Sequence, residues 1–163
     1  MYNYLQEKIL KYSLSKQVYL LGSMDAKSLR LNMNESSILF TSNFKEGWGA
    51  VLSEAMDSCC AVVASHACGS VPFLIQNNKN GIVYPYNDFN YMYEQIEMLI
   101  NSPSFRIKLG INAHNDITEY WNAATAVERL INLSESIIQD EKAHYEKGPC
   151  SSALIVKNNW YKK

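Results

Sequence analysis

Four short apolar runs, Gln17–Leu21, Ser37–Ser42, Ala61–Ser65 and Gly81–Tyr84, are separated by segments whose apolar residues recur at helical spacing. The runs are apolar at successive positions rather than at alternate ones. That pattern belongs to strands buried on both faces, as in a parallel sheet covered by helices. The intervening segments supply the helices. Leu5, Ile9 and Leu10 predict one over 2–12. Asp25 predicts an N-cap for a helix to about residue 34, with Leu29 and Met33 four apart. Further helices are expected over 49–58, from Asp88 onward, from Pro103 with Ser102 as cap, and over 123–139, with a helical turn near 71–76. Alternating strand and helix give a Rossmann-like α/β fold. In such sheets ligands sit beyond the carboxyl ends of the strands. The loops after Leu21, Ser42, Ser65 and Tyr84 are therefore where chemistry is expected.

The 163 residues suffice for one domain, read as 1–139, followed by a polar tail over 140–163 expected to be partly disordered. Trp160-Tyr161-Lys162-Lys163 at its end has the residue types that touch membrane surfaces, although a frayed end explains them as well. A net charge of -1 argues against a nucleic-acid partner. No apolar run approaches the roughly 18 residues of a membrane helix, and the first residues lack the pattern of a signal peptide. Cys59, Cys60, Cys68 and Cys150 have neither zinc nor disulfide-framework spacing and read as idle thiols. The expected location is cytoplasmic, with a peripheral position at the inner face of the membrane left open.

One segment carries chemical information: Glu46-Gly47-Trp48-Gly49-Ala50-Val51-Leu52-Ser53-Glu54-Ala55-Met56. It joins the end of a strand to the start of a helix. Its glycines allow close backbone approach, and the helix start offers free N–H groups and a positive dipole end that suit a phosphate. Glu54 leans back toward the helix start. Carboxylates flanking a phosphate cradle suit a ligand that also presents hydroxyls. Taken alone, the same residues are equally read as ordinary acids at a helix start.

The segment resembles the E-x7-E motif of glycosyltransferase family 4, retaining enzymes of the GT-B fold. Glu46 and Glu54 have its spacing. The likeness continues through Ala61-Val62-Val63-Ala64-Ser65, Gly69-Ser70-Val71-Pro72 and Asn80-Gly81-Ile82-Val83, over roughly 15–140. The resemblance implies that Glu46 is the catalytic-site acid contacting hydroxyls of the transferred sugar and that Glu54 binds the ribose. Backbone around Gly47, Trp48, Gly49 and Ala50 would hold the diphosphate of a UDP-, GDP- or other nucleotide sugar, with no metal and no further cofactor. Gly22 and Ser23 would lie near the base. The implied reaction moves a hexosyl unit to a polysaccharide or glycolipid acceptor with retention.

Three positions depart from the pattern. Cys59 stands where the family often has a glycine in left-handed conformation, Ser70 replaces a second glycine, and Phe73 replaces an acid. The acceptor-binding N-terminal domain of GT-B enzymes has no counterpart here. The chain alone is therefore expected to be inactive, and its uncovered sheet is expected to associate with a separate N-terminal polypeptide or a second copy. A non-catalytic nucleotide-sugar-binding module is the alternative. A dinucleotide binder is disfavoured, because no G-x-G-x-x-G follows the first apolar run.

Overall fold

The structure, a computed structural model, describes residues 1–42 and 46–152. Asn43-Phe44-Lys45 and the aromatic, basic end of the tail lie outside the described residues. The chain forms two compact units, residues 1–31 and 32–163.

The first unit holds α1 (Tyr2–Lys11) and most of α2 (Ala26–Glu35). Asp25 caps α2 as its position predicts: Oδ1 accepts the Ser28 N–H at 2.8 Å. Those Ser28 hydrogen bonds hold the Asp25 carboxyl below its usual pKa. The strand expected over 17–21 does not form. The Val18 N–H is taken by Leu14 O at 2.9 Å, in a turn that follows α1, and no ladder bonds run along Val18–Leu21. Tyr19 and Leu21 are exposed. An apolar run becomes a strand only where a neighbouring strand pairs with it, and here a local turn takes the first amide instead.

The second unit is built on β1 (Ile38–Thr41), β2 (Ala61–Ser65) and β3 (Ile82–Tyr84), all parallel, in the spatial order β1-β2-β3. The Rossmann-like reading holds, with three strands among the described residues in place of four. Ile38 pairs with Ala61, and Val63 with Ile82. Every β2 residue is buried, as a continuous apolar run requires. On one face Ala61, Val63, Ile82 and Tyr84 pack with Leu99 of α5 (Phe89–Asn101) and Leu109 of α6 (Pro103–Glu119). Alternation turns Val62, Ala64 and Val83 to the opposite face, which is also closed. The crossover from β1 to β2 is α3 (Ala50–Asp57), whose Leu52, Ala55 and Met56 are buried. The short α4 (Val71–Leu74) lies between β2 and β3, and α7 (Ala123–Ile138) follows α6. Asp88 and Asn122 cap α5 and α7 through the amides of Tyr91 and Thr125.

The Tyr84 hydroxyl donates to Thr41 O at 2.7 Å and so ties the end of β3 to the end of β1 across β2. Burial raises the Tyr84 pKa. His114 lacks an evident partner in the sequence, yet its Nδ1 lies 2.6 Å from Asp57 O at the end of α3.

The end of α3 adopts the conformation that the Cys59 departure implies. The Cys60 N–H bonds to Ala55 O and the Cys59 N–H to Met56 O, which together form a Schellman motif. Cys59 sits at φ 58, in the left-handed region. Gly110 of α6 presses against this turn: a Cβ there would lie 2.1 Å from Cys59 O. Cys59→Gly is expected to stabilise the fold by about 1 kcal/mol by removing the left-handed penalty. Gly110→Ala is expected to destabilise it by about 1–3 kcal/mol through overpacking. Urea denaturation of the two variants checks the opposite signs.

Candidate functional site

The strands end together at Thr41, Ser65 and Tyr84, and the loops beyond them form the candidate site. The loop after β1 re-enters the described residues at Glu46 and runs to Gly49, the residue before α3. Gly49 has φ 77, a conformation that side chains with a Cβ rarely adopt, and a Cβ there would lie 2.6 Å from Cys68 Sγ. The loop after β2, His66–Ser70, lies directly against this one. Glu46 and Cys68 form a parallel bridge, the Gly69 N–H donates to Glu46 O at 3.3 Å, and the Ser70 N–H donates to Trp48 O at 3.2 Å. Cys68 Sγ also lies 3.4 Å from Trp48 O. The approach is close enough that a Cβ on Gly69 would meet Gly47 O at 1.9 Å. Gly69 is therefore required for space, and Gly49 for both space and backbone conformation.

These bonds set the direction of the loop amides. In a planar trans peptide the C=O and the following N–H point in opposite directions. Glu46 O and Trp48 O both face the 66–70 loop, so the N–H groups of Gly47 and Gly49 face away from it. Glu46 Oε1 accepts the Gly47 N–H at 3.2 Å, which puts this carboxylate on the same outward side. Immediately after, α3 begins, and the first N–H groups of a helix have no acceptor within the helix. Outward amides, a positive helix end and a carboxylate beside them form a surface that takes an anion flanked by hydroxyl groups.

Glu46, Gly47, Trp48, Gly49 and Ala50 are thus brought together at one strand end. Glu54 is exposed on α3, within the same crossover. Gly22, at φ 69, and Ser23 belong to the first unit, where they lead into α2.

Two residues here were not legible as functional in the sequence. Cys68, read as an idle thiol, lies beneath Gly49. Trp121 lies against Trp48: the ring centroids are 6.0 Å apart and tilted by 54°. Phe73 of α4 stacks on Trp48 at 5.9 Å with 29° between planes. A lone glycine at 69 is the one local sign of the close contact between loops. His66 joins the loops after β2 and β3: its Nδ1 accepts the Tyr86 N–H at 2.9 Å, which puts the imidazole proton on Nε2. Burial lowers the His66 pKa. Among the described residues, no three His, Cys, Asp or Glu side chains gather as a metal-binding group. No helix among them is long and apolar enough to cross a membrane.

Gly69→Ala is expected to force the two loops apart at a cost of about 1–3 kcal/mol, the range for overpacking. Amide hydrogen exchange at residues 69 and 70 should then quicken, while Val63 in β2 keeps its protection.

Comparison with known proteins agrees with this geometry. Residues 1–116 match the family Glycosyl transferases group 1. A poly(ribitol-phosphate) alpha-N-acetylglucosaminyltransferase of Staphylococcus aureus is 30% identical over 99 residues, 61% of this chain and 20% of that protein. This chain therefore spans about a fifth of that relative's length. Among solved structures, the C-terminal domain of the group 1 glycosyl transferase LpcC from Francisella tularensis superposes with a TM-score of 0.66 at 28% identity, over 72% of this chain and 60% of that one. Anabaena HepE in complex with UDP shares the fold with a TM-score of 0.70 at 21% identity, over 82% of this chain and 36% of that one. The parallel sheet with its flanking helices is the fold of the C-terminal half of GT-B glycosyltransferases, and the chain belongs to the glycosyl transferases group 1 family.

Proposed function

We propose that the chain is the donor-binding part of a retaining glycosyltransferase that takes a nucleotide diphosphate sugar. The observation that carries this reading is the orientation of the Gly47 and Gly49 amides, directed outward at the head of α3 with Glu46 beside them. A diphosphate placed there meets the Gly49 N–H and the positive helix end, and the Gly47 N–H once the Glu46 carboxylate that it now bonds turns to the sugar, each helix–charge interaction contributing roughly 0.3–1 kcal/mol and up to about 2 when partly buried. On this reading the amides and the helix take over the role of a divalent ion, and none is needed. Glu46 accepts hydrogen bonds from hydroxyls of the transferred sugar, and Glu54 from the ribose.

The transfer breaks the bond between the anomeric carbon and the diphosphate oxygen. It makes a bond to an acceptor hydroxyl oxygen, whose proton passes to the departing diphosphate oxygen, and releases the nucleoside diphosphate. The anomeric configuration is retained. UDP in HepE and UDP-glucose in the same protein favour a uridine donor. The polymer named for the Staphylococcus relative favours a surface polysaccharide or related glycolipid as acceptor. Since the chain spans a fifth of that relative's length, the acceptor is held by a further domain or a separate polypeptide. The 163 residues alone then bind donor without turnover.

Calorimetry with UDP, GDP and their sugar conjugates tests the reading. One nucleotide should bind, with and without EDTA. Glu54→Ala should weaken it by about 1.5–3 kcal/mol, the range for a hydrogen bond to a charged group. Binding that Glu54→Ala leaves unchanged, or that requires a divalent ion, contradicts the assignment. Turnover by the 163 residues alone contradicts the need for an acceptor domain.

A further inference from the structure

We propose that Trp121 is a positioning residue for the anion-binding loop: it braces the Trp48 ring and so steadies the Gly49 amide in the direction that the loop's hydrogen bonds give it. The proposal rests on the donor-site reading above and names a residue outside the glycine loop.

Trp48 occupies the middle of that loop and is held at both its ends. Its carbonyl is fixed by the Ser70 N–H and Cys68 Sγ. Its indole lies against Phe73 from α4 and Trp121 from the turn between α6 and α7. The Trp48–Gly49 peptide is planar, so the bonds that fix the Trp48 carbonyl fix the Gly49 N–H, and the ring contacts hold the Cα from which that peptide leaves. Trp48 is 47% exposed despite these contacts, so the two aromatic neighbours are lateral support rather than a surrounding core.

Trp121 is anchored independently of the loop it supports. Its N–H donates to Ile117 O in the last turn of α6 at 3.1 Å. Asn122, the next residue, caps α7 through Thr125. The indole Nε1 is buried with no hydrogen-bond partner among the described residues, so the ring is held there by its faces and edges and not by its polar atom. Such an arrangement suits a packing wedge placed at the junction of two helices.

The expected signature is selective. Loss of the wedge loosens the amides that face a diphosphate and leaves the sheet and the α3–α6 contact intact. The test compares Trp121→Ala with Trp121→Phe, which keeps an aromatic ring and discards the unpaired N–H. In the ligand-free protein, amide exchange at Gly47, Gly49 and Ala50 should quicken in Trp121→Ala and return toward wild type in Trp121→Phe, while Val63 and Leu109 stay unchanged. UDP affinity should fall about three- to tenfold in Trp121→Ala, the value of one aromatic pair, and recover in Trp121→Phe. Affinity for uridine, which lacks phosphate, should not move. Unchanged loop exchange in Trp121→Ala, or an equal loss for UDP and uridine, overturns the positioning role. If Trp121→Ala does not fold, exchange and UDP affinity in Trp121→Leu decide the same question. A wild-type chain that binds no UDP counts against the uridine donor, and the ligand-free exchange still decides the role of Trp121.

Discussion

The contact between the backbones of Gly47 and Gly69 is the constraint on which the site depends. No side chain fits between them, since even a Cβ on Gly69 would reach Gly47 O at 1.9 Å. Once the two loops lie that close, their hydrogen bonds follow: Glu46 O and Trp48 O are taken by the amides of Gly69 and Ser70. The peptide planes then have one orientation left, with the N–H groups of Gly47 and Gly49 turned outward. The left-handed Gly49 delivers the chain into α3 from that geometry. The site is thus a consequence of close packing between backbones, with side chains added at its edges.

The sheet beneath supplies the fixed frame. Both loops leave adjacent parallel strands whose register sets Thr41 beside Ala64 and Ser65 beside Tyr84. The Tyr84 hydroxyl crosses β2 to Thr41 O, so the strand ends that launch the loops are tied at the same level. Burial of β2 on both faces and the Schellman turn at Cys59 hold α3 at its far end, where Gly110 of α6 closes against it. The N-terminus of α3 therefore points at the loops from a helix secured at its other end.

Much of this was readable in the sequence because it is local. Continuous apolar runs identified β1, β2 and β3, and Asp25 placed the start of α2, whereas Ser102, expected to cap α6, makes no side-chain cap bond there. The left-handed turn at Cys59 followed from its place one residue past a helix end. The spacing of Glu46 and Glu54 put one acid in a loop and the other on the helix that follows. What was not readable is non-local. Val18–Leu21 has the composition of a strand, but composition does not say whether a partner strand will pair with it, and a turn from Leu14 takes its first amide. Cys68 and Trp121 carry no local sign of their roles, because each acts on a loop far from it in the chain, Trp48 lying 20 residues before Cys68. The first sits under Gly49 and the second beside Trp48.

The account's central claim is that outward backbone amides at the head of α3 receive the phosphates of the donor. The most direct measurement is a titration of the nitrogen-15-labelled chain with UDP, following backbone amide shifts. The account predicts large, saturable shifts at Gly47, Trp48, Gly49 and Ala50, with the sheet amides of Val62 and Val63 little changed. Saturable UDP binding that leaves the amides of 47–50 in place and shifts residues elsewhere would contradict it.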